Sequence, residues 1–382
     1  MNRRIAFTLV PLAYLTLSCG QPVSFSKSDE PQRSTATARQ EEPTKETQGA
    51  AKPKQAWPAD GIAYGRREPL PKKPGTLRIA TYNLENLFDD KDDPAVPPAG
   101  MSTITDDKTM HVSPARLEAL AATIRRLDAD VLALQEIEGK DALVEFRDRY
   151  LKGLGYEHLA SVDAGDPRGI EQAVLSRLPI TKVENWPERR IDDQDAKRQG
   201  GDFAKAKGEL PKRWARSPLV VTVKSKDGYE LDLLVLHHKS GGGFDVQREL
   251  EALEVIEVAK ERLAKDPQRN LAILGDFNAT PTKKSVKLYR ENGFVNAYDH
   301  RFDAKAPSET YITHATKRPI DFIWMSEGLA KDVVQKSFFV LGTPVAQKLP
   351  PMDASAEEKE KALPKGYASD HLPVAIDITP KD

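Results

Sequence analysis

Leu271-Ala272-Ile273-Leu274 is apolar at every position and gives way at once to Gly275-Asp276-Phe277-Asn278. A run this short and this uniformly apolar reads as a buried strand, since a helix needs ten or more residues to bury one face. The glycine that follows lets the backbone pass close to a ligand. Asp276 and Asn278 stand two apart, so on extended chain both side chains project to one face and Phe277 to the other. A carboxylate beside an amide suits a water that must lose a proton and a phosphate oxygen that needs a neutral donor. The same tetrapeptide also fits an Asx turn ending a strand.

Similar runs recur. Leu77–Asn83, Val131–Gln135, Gln172–Ser176, Leu219–Val223, Leu231–Leu236, Phe322–Met325 and Val374–Ile378 all read as strands. Helices are fewer. Ser113-Pro114 supplies an N-cap and a proline at the first helical position, ahead of Leu117, Leu120, Ile124 and Leu127 at helical spacing. Ala142–Leu154, closed by Gly155, and Phe244–Ala264 complete the set. Strands in succession with few helices between them predict two packed, mostly antiparallel sheets flanked by helices. Lys91–His111, Glu184–Arg216 and Gly342–Lys365 are polar enough to be surface loops, and no internal repeat is evident.

The single cysteine, Cys19, excludes an internal disulfide and a multi-cysteine metal site. It follows a basic start, Arg3-Arg4, and an apolar run from Ile5 to Leu17 that is short for a membrane span. This pattern predicts an export signal over residues 1–18. Leu15-Thr16-Leu17-Ser18-Cys19-Gly20 resembles a bacterial lipoprotein processing site, although Leu15 stands four places before the cysteine and Thr16 holds the third. An ordinary cleaved signal with an incidental cysteine is the alternative. Residues 19–75, rich in Ser, Thr, Gln, Glu, Lys and Pro, lack apolar periodicity and are expected to form a flexible tether. Trp57 and Tyr64 could pack back onto the domain predicted over 76–382.

Hydrophobic residues, at 39%, suffice for one sizeable core. Lys and Arg number 57 against 58 Asp and Glu, so any polyanion must be drawn by a local patch and not by net charge. Several strand ends carry candidate chemistry. Glu136 follows Val131–Gln135, where a lone glutamate is ordinarily solvated. Asp370-His371 precedes the last strand and can address a metal and the oxyanion beside it. Carboxylate oxygens suit a hard cation such as Mg2+. Asp321 could orient a histidine by accepting its ring N–H. Leu236-His237-His238-Lys239-Ser240 leads into three glycines that lack the Walker spacing. Alternation places His237 and Lys239 on one face and His238 on the other.

Together these segments resemble the endonuclease/exonuclease/phosphatase family of metal-dependent phosphoesterases. Thr81-Tyr82-Asn83-Leu84-Glu85-Asn86-Leu87-Phe88-Asp89 is similar to its opening motif, Leu134-Gln135-Glu136 to its metal-binding glutamate motif and His237-His238-Lys239-Ser240 to its histidine motif. Gly275-Asp276-Phe277-Asn278, Asp321 and Ser369-Asp370-His371 follow in the expected order over residues 76–380. Arg168-Gly169-Ile170 and Ala173-Val174-Leu175-Ser176-Arg177 resemble its bacterial extracellular-nuclease-like members. The resemblance implies a four-layered α/β sandwich, DNase I-like, with in-line attack of water on phosphorus. It implies that Glu136 and Asp370 hold Mg2+, or Mn2+ as the alternative. Asp276 would be the base, and Asn83 and Asn278 would position groups around the phosphate. His237, and His371 held by Asp321, would stabilise the pentacovalent state. Arg177 and Lys239 are expected to contact substrate.

Nucleic acid is the substrate expected first. The loop from Arg189 to Arg216 carries Arg189, Arg190, Lys197, Arg198, Lys205, Lys207, Lys212, Arg213 and Arg216, with Trp214 available to stack, though five acids dilute it. A phospholipid or small-molecule phosphodiester and a non-catalytic surface lipoprotein are the alternatives. A monomer held at a membrane through lipidated Cys19 is expected, periplasmic or at the cell surface, with secretion as the alternative.

Overall fold

The apolar runs pair into two sheets because each is buried on one or both faces and must be covered. The structure, a computed structural model, describes residues 61–89, 91, 112–193, 210–302, 311–346, 348, 358 and 361–381. All belong to one unit, Ala56–Asp382. Cys19, its signal and most of the tether lie outside the described residues. No helix among the described residues is long and apolar enough to cross a membrane.

The strands are β1 (Leu77–Leu87), β2 (Val131–Ile137), β3 (His158–Ser161), β4 (Glu171–Ser176), β5 (Ile180–Glu184) and β6 (Leu219–Lys224). There follow β7 (Glu230–His237), β8 (Leu271–Asp276), β9 (Val295–Asn296), β10 (Asp321–Met325), β11 (Phe339–Val340) and β12 (Val374–Ile378). The helices are α1 (Pro114–Leu127), α2 (Lys140–Tyr150), α3 (Asp245–Leu263), α4 (Lys284–Glu291) and α5 (Glu327–Lys331). One sheet has the order β11-β12-β1-β2-β4-β3, the other β5-β6-β7-β8-β10-β9. Most pairings are antiparallel, as expected. Each sheet has one parallel pair at its centre, β1 with β2 and β7 with β8.

Alternation sorts the side chains into layers. In the first sheet Ile79, Val131, Ala133 and Val174 face the second sheet. Ala80, Tyr82, Leu132 and Leu134 face Leu120 and Ile124 of α1 and Leu143 and Phe146 of α2. On the far side of the second sheet, α3 and α4 close over β7, and His238 there meets Glu251 and Tyr289. The result is a four-layered α/β sandwich. Helix α1 begins as its sequence requires: Ser113 accepts from the N–H of Arg116, and Pro114 takes the first turn.

Four expectations are corrected. The folded unit reaches back before residue 76: Leu70 is buried and its carbonyl accepts from Arg78; Tyr64 packs on the core, as expected. Gly65 lies so close to β11 that a Cβ would stand 2.9 Å from the Val340 carbonyl oxygen. Helix α2 spans Lys140–Tyr150, not 142–154. The long polar insertions are not wholly surface: Ile191 and Trp214 of one, and Thr343, Val345 and Ala346 of the other, are buried. Strands β3, β5, β9 and β11 and helices α4 and α5 have no expected counterpart, because short or mixed-polarity segments give no period to read.

Candidate active site

The strand registers bring the polar strand ends into two facing rows. In the second sheet His237 of β7 lies beside Asp276 of β8, and Asp276 beside Asp321 of β10. In the first, Asn83 of β1 pairs with Gln135 of β2. The rows meet where Asn83 Nδ2 donates to Asp276 Oδ2 at 3.2 Å. Gly275 makes this register possible. With φ at +142°, a Cβ there would stand 2.0 Å from the carbonyl oxygen of Leu236. The close approach is therefore to strand β7, where a ligand had been expected.

Glu136 reaches the site through an irregularity that alternation conceals. Leu132 and Leu134 point outward to the helices, so a regular strand would send Glu136 the same way. Instead its φ is +61° and the β2 register shifts between Gln135 and Ile137. The neighbouring strand does likewise: Glu85 and Asn86 have φ of +53° and +57°, within a register shift of β1. The two bulges interlock, with the Asn86 N–H donating to Glu136 Oε2 at 3.0 Å. Asn278, φ +48°, is a fourth left-handed residue here. Each such non-glycine residue costs about 1–3 kcal/mol, which marks a strained, functional region.

Around Asp276 the donors converge. Asn278 gives Oδ1 its backbone N–H at 2.8 Å and Oδ2 its Nδ2 at 3.0 Å. The Asx turn and the shared face are thus both present. His237 Nε2 lies 3.5 Å from Glu136 Oε1 and 3.7 Å from Asp276 Oδ2. His371 Nε2 is also 3.7 Å from Asp276 Oδ2, while its Nδ1 meets Asp321 at 3.0 Å. Asp370 Oδ1 is 3.9 Å from His371 Nε2. Asn83, Glu136, His237, Asp276, Asn278, Asp321, Asp370 and His371 therefore share one pocket.

Burial sets the electrostatics. It raises the Asp276 carboxyl to about 7, with Asp321 and Glu136 adding and His371 opposing. Glu85 is likewise raised to about 7 by burial, against Arg116. Burial, with Arg216 and Arg168 beside it, holds His237 well below the usual imidazole range. For His371 burial works against the charge, but Asp321 and Asp276 outweigh it and hold the ring well above that range. Asp370 is also buried, yet His314, His371 and Arg116 keep its carboxyl down at about 2.

This donor set fits a hard divalent cation. Carboxylates crowd the pocket, and His237 does not supply a balancing charge to Glu136 and Asp276. Oxygen ligands of this kind suit Mg2+ or Mn2+.

Of the two residues expected to contact substrate, one stands apart and the other lies at the rim. Because β2 and β4 are antiparallel with Val131 opposite Ser176, Arg177 falls at the far end of the sheet from Glu136. Its guanidinium is bound to Asp128 and Asp130 and to the Leu154 carbonyl, so the expected substrate contact is withdrawn. Lys239 lies at the rim with Nζ 4.9 Å from the centre of the Phe244 ring. The loop cations are also spoken for: Arg189 pairs with Glu254 and Glu261, Arg190 with Asp192, Arg213 with Glu188 and Arg216 with Asp166. Trp214 is buried and does not stack outward. Lys197, Arg198, Lys205 and Lys207 lie outside the described residues.

Glu85, Arg116, His314 and Tyr367 also border the pocket, although no motif or period in the sequence marks them for it. Glu85 accepts from the Tyr367 hydroxyl at 2.6 Å and the Asp370 N–H at 3.1 Å. Arg116 donates to the carbonyls of Glu85 and Ala368. Only the polar pair Glu85-Asn86 inside an apolar run hinted at a bulge.

The sequence matches the endonuclease/exonuclease/phosphatase family over residues 80–371. Among curated proteins, none matches the chain. In structure the chain is similar to the human Nocturnin catalytic domain with bound sulfate anion, at TM-score 0.51 and 16% identity, covering 79% of this chain and 94% of that one. It is also similar to an endonuclease/exonuclease/phosphatase family protein from Bacteroides thetaiotaomicron, at TM-score 0.48 and 20% identity, covering 80% and 95%. Truncated Caenorhabditis elegans TDP2 gives TM-score 0.47 and 15% identity, covering 79% and 97%. At 16% identity the likeness to Nocturnin speaks to fold alone, whereas the family match spans most of the sequence and includes every motif of the pocket, from Thr81 to His371. The chain belongs to the endonuclease/exonuclease/phosphatase family, which includes metal-dependent phosphodiesterases, phosphatases and nucleases.

Proposed function

We propose that this chain is a divalent-metal-dependent phosphodiester hydrolase acting on nucleic acid. The observation that carries the reading is the convergence of Glu136, His237, Asp276 and His371 from both sheets on one pocket. Glu136 and Asp370 would hold Mg2+ or Mn2+, which when bound polarises the phosphoryl oxygen and steadies the leaving oxygen. Asp276, raised to about 7, is poised to take the proton from the attacking water near neutral pH. Asn83 and Asn278 fix that carboxylate. His371, charged and held by Asp321, stabilises the added negative charge; His237, uncharged, donates a hydrogen bond.

Nucleic acid is supported by the rim. Phe244 is 45% exposed, with Lys239 over its ring, and offers an aromatic face and a cation together. The pairing of Arg189, Arg190 and Arg213 with acids favours a second reading, a smaller phosphodiester such as a phospholipid head group. Purified protein with plasmid, linear DNA, RNA and sphingomyelin, with Mg2+ or EDTA, separates the two. Metal-dependent cleavage of nucleic acid is expected; lipid turnover alone would transfer the substrate to the second reading.

We also propose that the enzyme is exported and tethered through lipidated Cys19, on the strength of the basic start, apolar run and cysteine. Labelled palmitate should enter the wild type and not Cys19→Ser when each is expressed in a bacterium. Equal labelling would remove the anchor.

A further inference from the structure

His314 stands in a turn that stitches two parts of the pocket together. The Thr313 N–H donates to the Arg318 carbonyl at 3.2 Å, and the N–H of Lys317, φ +63°, closes the turn by donating to the His314 carbonyl at 2.9 Å. The turn then pairs with the Asp370–Leu372 segment. The Ala315 N–H donates to the Asp370 carbonyl and the Leu372 N–H to the Thr313 carbonyl, both at 2.7 Å. On its other side Thr313 Oγ1 accepts from the N–H groups of Ile320 and Asp321 at 2.9 and 3.1 Å. One short turn thereby sets Asp370-His371 against Asp321.

The His314 ring is 8% exposed and stands edge-on to His371, with centroids 4.6 Å apart. Its Nε2 lies 3.2 Å from Asp370 Oδ2. Its Nδ1 receives the Thr316 backbone N–H at 3.0 Å and lies 2.7 Å from Thr316 Oγ1. A backbone N–H can only donate, so Nδ1 carries the lone pair and the proton sits on Nε2. An Nε2 that bears the proton cannot ligate a cation. It can only donate, and Asp370 is what it faces.

We infer that His314 is a positioning residue that holds Asp370 Oδ2 and leaves Oδ1 as the oxygen presented to the metal. The inference rests on the reading of Asp370 as a metal ligand. Oδ1 is the atom on the pocket side, 3.9 Å from His371 Nε2. Removing the partner that orients a metal-bound carboxylate costs about 10–100-fold in metal affinity or activity.

The test uses the full chain with His314→Leu and His314→Gln, since glutamine can offer an N–H in place of Nε2. Mn2+ binding is followed by electron paramagnetic resonance, alongside thermal melting. Binding about tenfold weaker in His314→Leu, restored to within about threefold in His314→Gln at similar melting temperatures, is expected. Unchanged binding in His314→Leu, or no rescue by a folded His314→Gln, overturns the role of His314 alone. No Mn2+ binding by the wild type overturns the metal reading and this inference with it. Should His314→Leu not fold, 15N shifts of the wild-type imidazole decide: a protonated Nε2 and bare Nδ1 support the inference, and a protonated Nδ1 overturns it.

Discussion

Asn83 Nδ2 and Asp276 Oδ2 lie 3.2 Å apart and join the two sheets side chain to side chain at the pocket. Asp276 is 1% exposed, and its other neighbours are Asn278, His237 and His371. Burying an ionised carboxylate is costly, so the site spends stability to keep this group. Asp276→Asn should therefore lower kcat by about 10²–10⁴-fold while the melting temperature holds or rises. Steady-state kinetics and calorimetry on the same preparation check both halves.

The Asp321–His371 pair gives a pH signature. His371 has a folded value raised well above the imidazole range, so the pair stabilises the fold below the unfolded value of about 6.5 and the gain is lost as pH rises through the folded value. Asp321→Asn keeps an oxygen that can accept from Nδ1 but removes the negative charge that holds the ring protonated. The alkaline limb of the kcat profile should move to lower pH, with a loss of about 10²-fold at its plateau. A limb that stays in place would separate it from His371.

How far the site could be read in advance varies with the local backbone. Asp276, Asp321, His237 and Asp370-His371 sit at ends of regular strands or beside them, where period-2 alternation and motif order place them correctly. Glu136 was legible as a motif, but not its route, because its left-handed backbone reverses the face that alternation assigns. Arg177 belongs to a matching segment, yet antiparallel pairing puts it at the wrong end of the sheet. His314 was illegible for a different reason. It joins Asp370 through a turn 55 residues or more away in sequence, and a lone histidine carries no pattern. The sandwich itself followed from strands in succession, while β3, β5, β9, β11, α4 and α5 were too short or too mixed to announce themselves.

Gly275 tests the register that aligns the two rows. A Cβ at 2.0 Å from the Leu236 carbonyl meets backbone, which cannot swing aside as a side chain would. Gly275→Ala should cost about 3 kcal/mol or more and reduce activity beyond the fraction unfolded. Urea titration and activity under native conditions measure the two effects.

At the opposite end of the second sheet, Asp232 provides a stability test away from the pocket. Burial opposes its ionisation, but Arg269, Thr222 and Arg262 outweigh it and hold the carboxyl below the usual range. Its contribution is present above the unfolded value of about 3.9 and is lost as pH falls through the depressed folded value. Asp232→Ala leaves Arg262 with Glu184 and Arg269 with Glu230, so it should cost about 1–3 kcal/mol at pH 7, less at pH 3. Denaturant curves at the two pH values decide it, and activity of the folded fraction should be unchanged.

The most direct measurement pairs metal titration with hydrolysis of a plain phosphodiester, bis(p-nitrophenyl) phosphate, by the purified full chain and Glu136→Gln. Hydrolysis that appears with Mg2+ or Mn2+, vanishes with EDTA and requires about tenfold or more metal in Glu136→Gln is the expected result. Turnover indifferent to EDTA, or a Glu136→Gln enzyme with the wild-type metal dependence, would contradict a metal-dependent phosphodiesterase centred on Glu136 and Asp276.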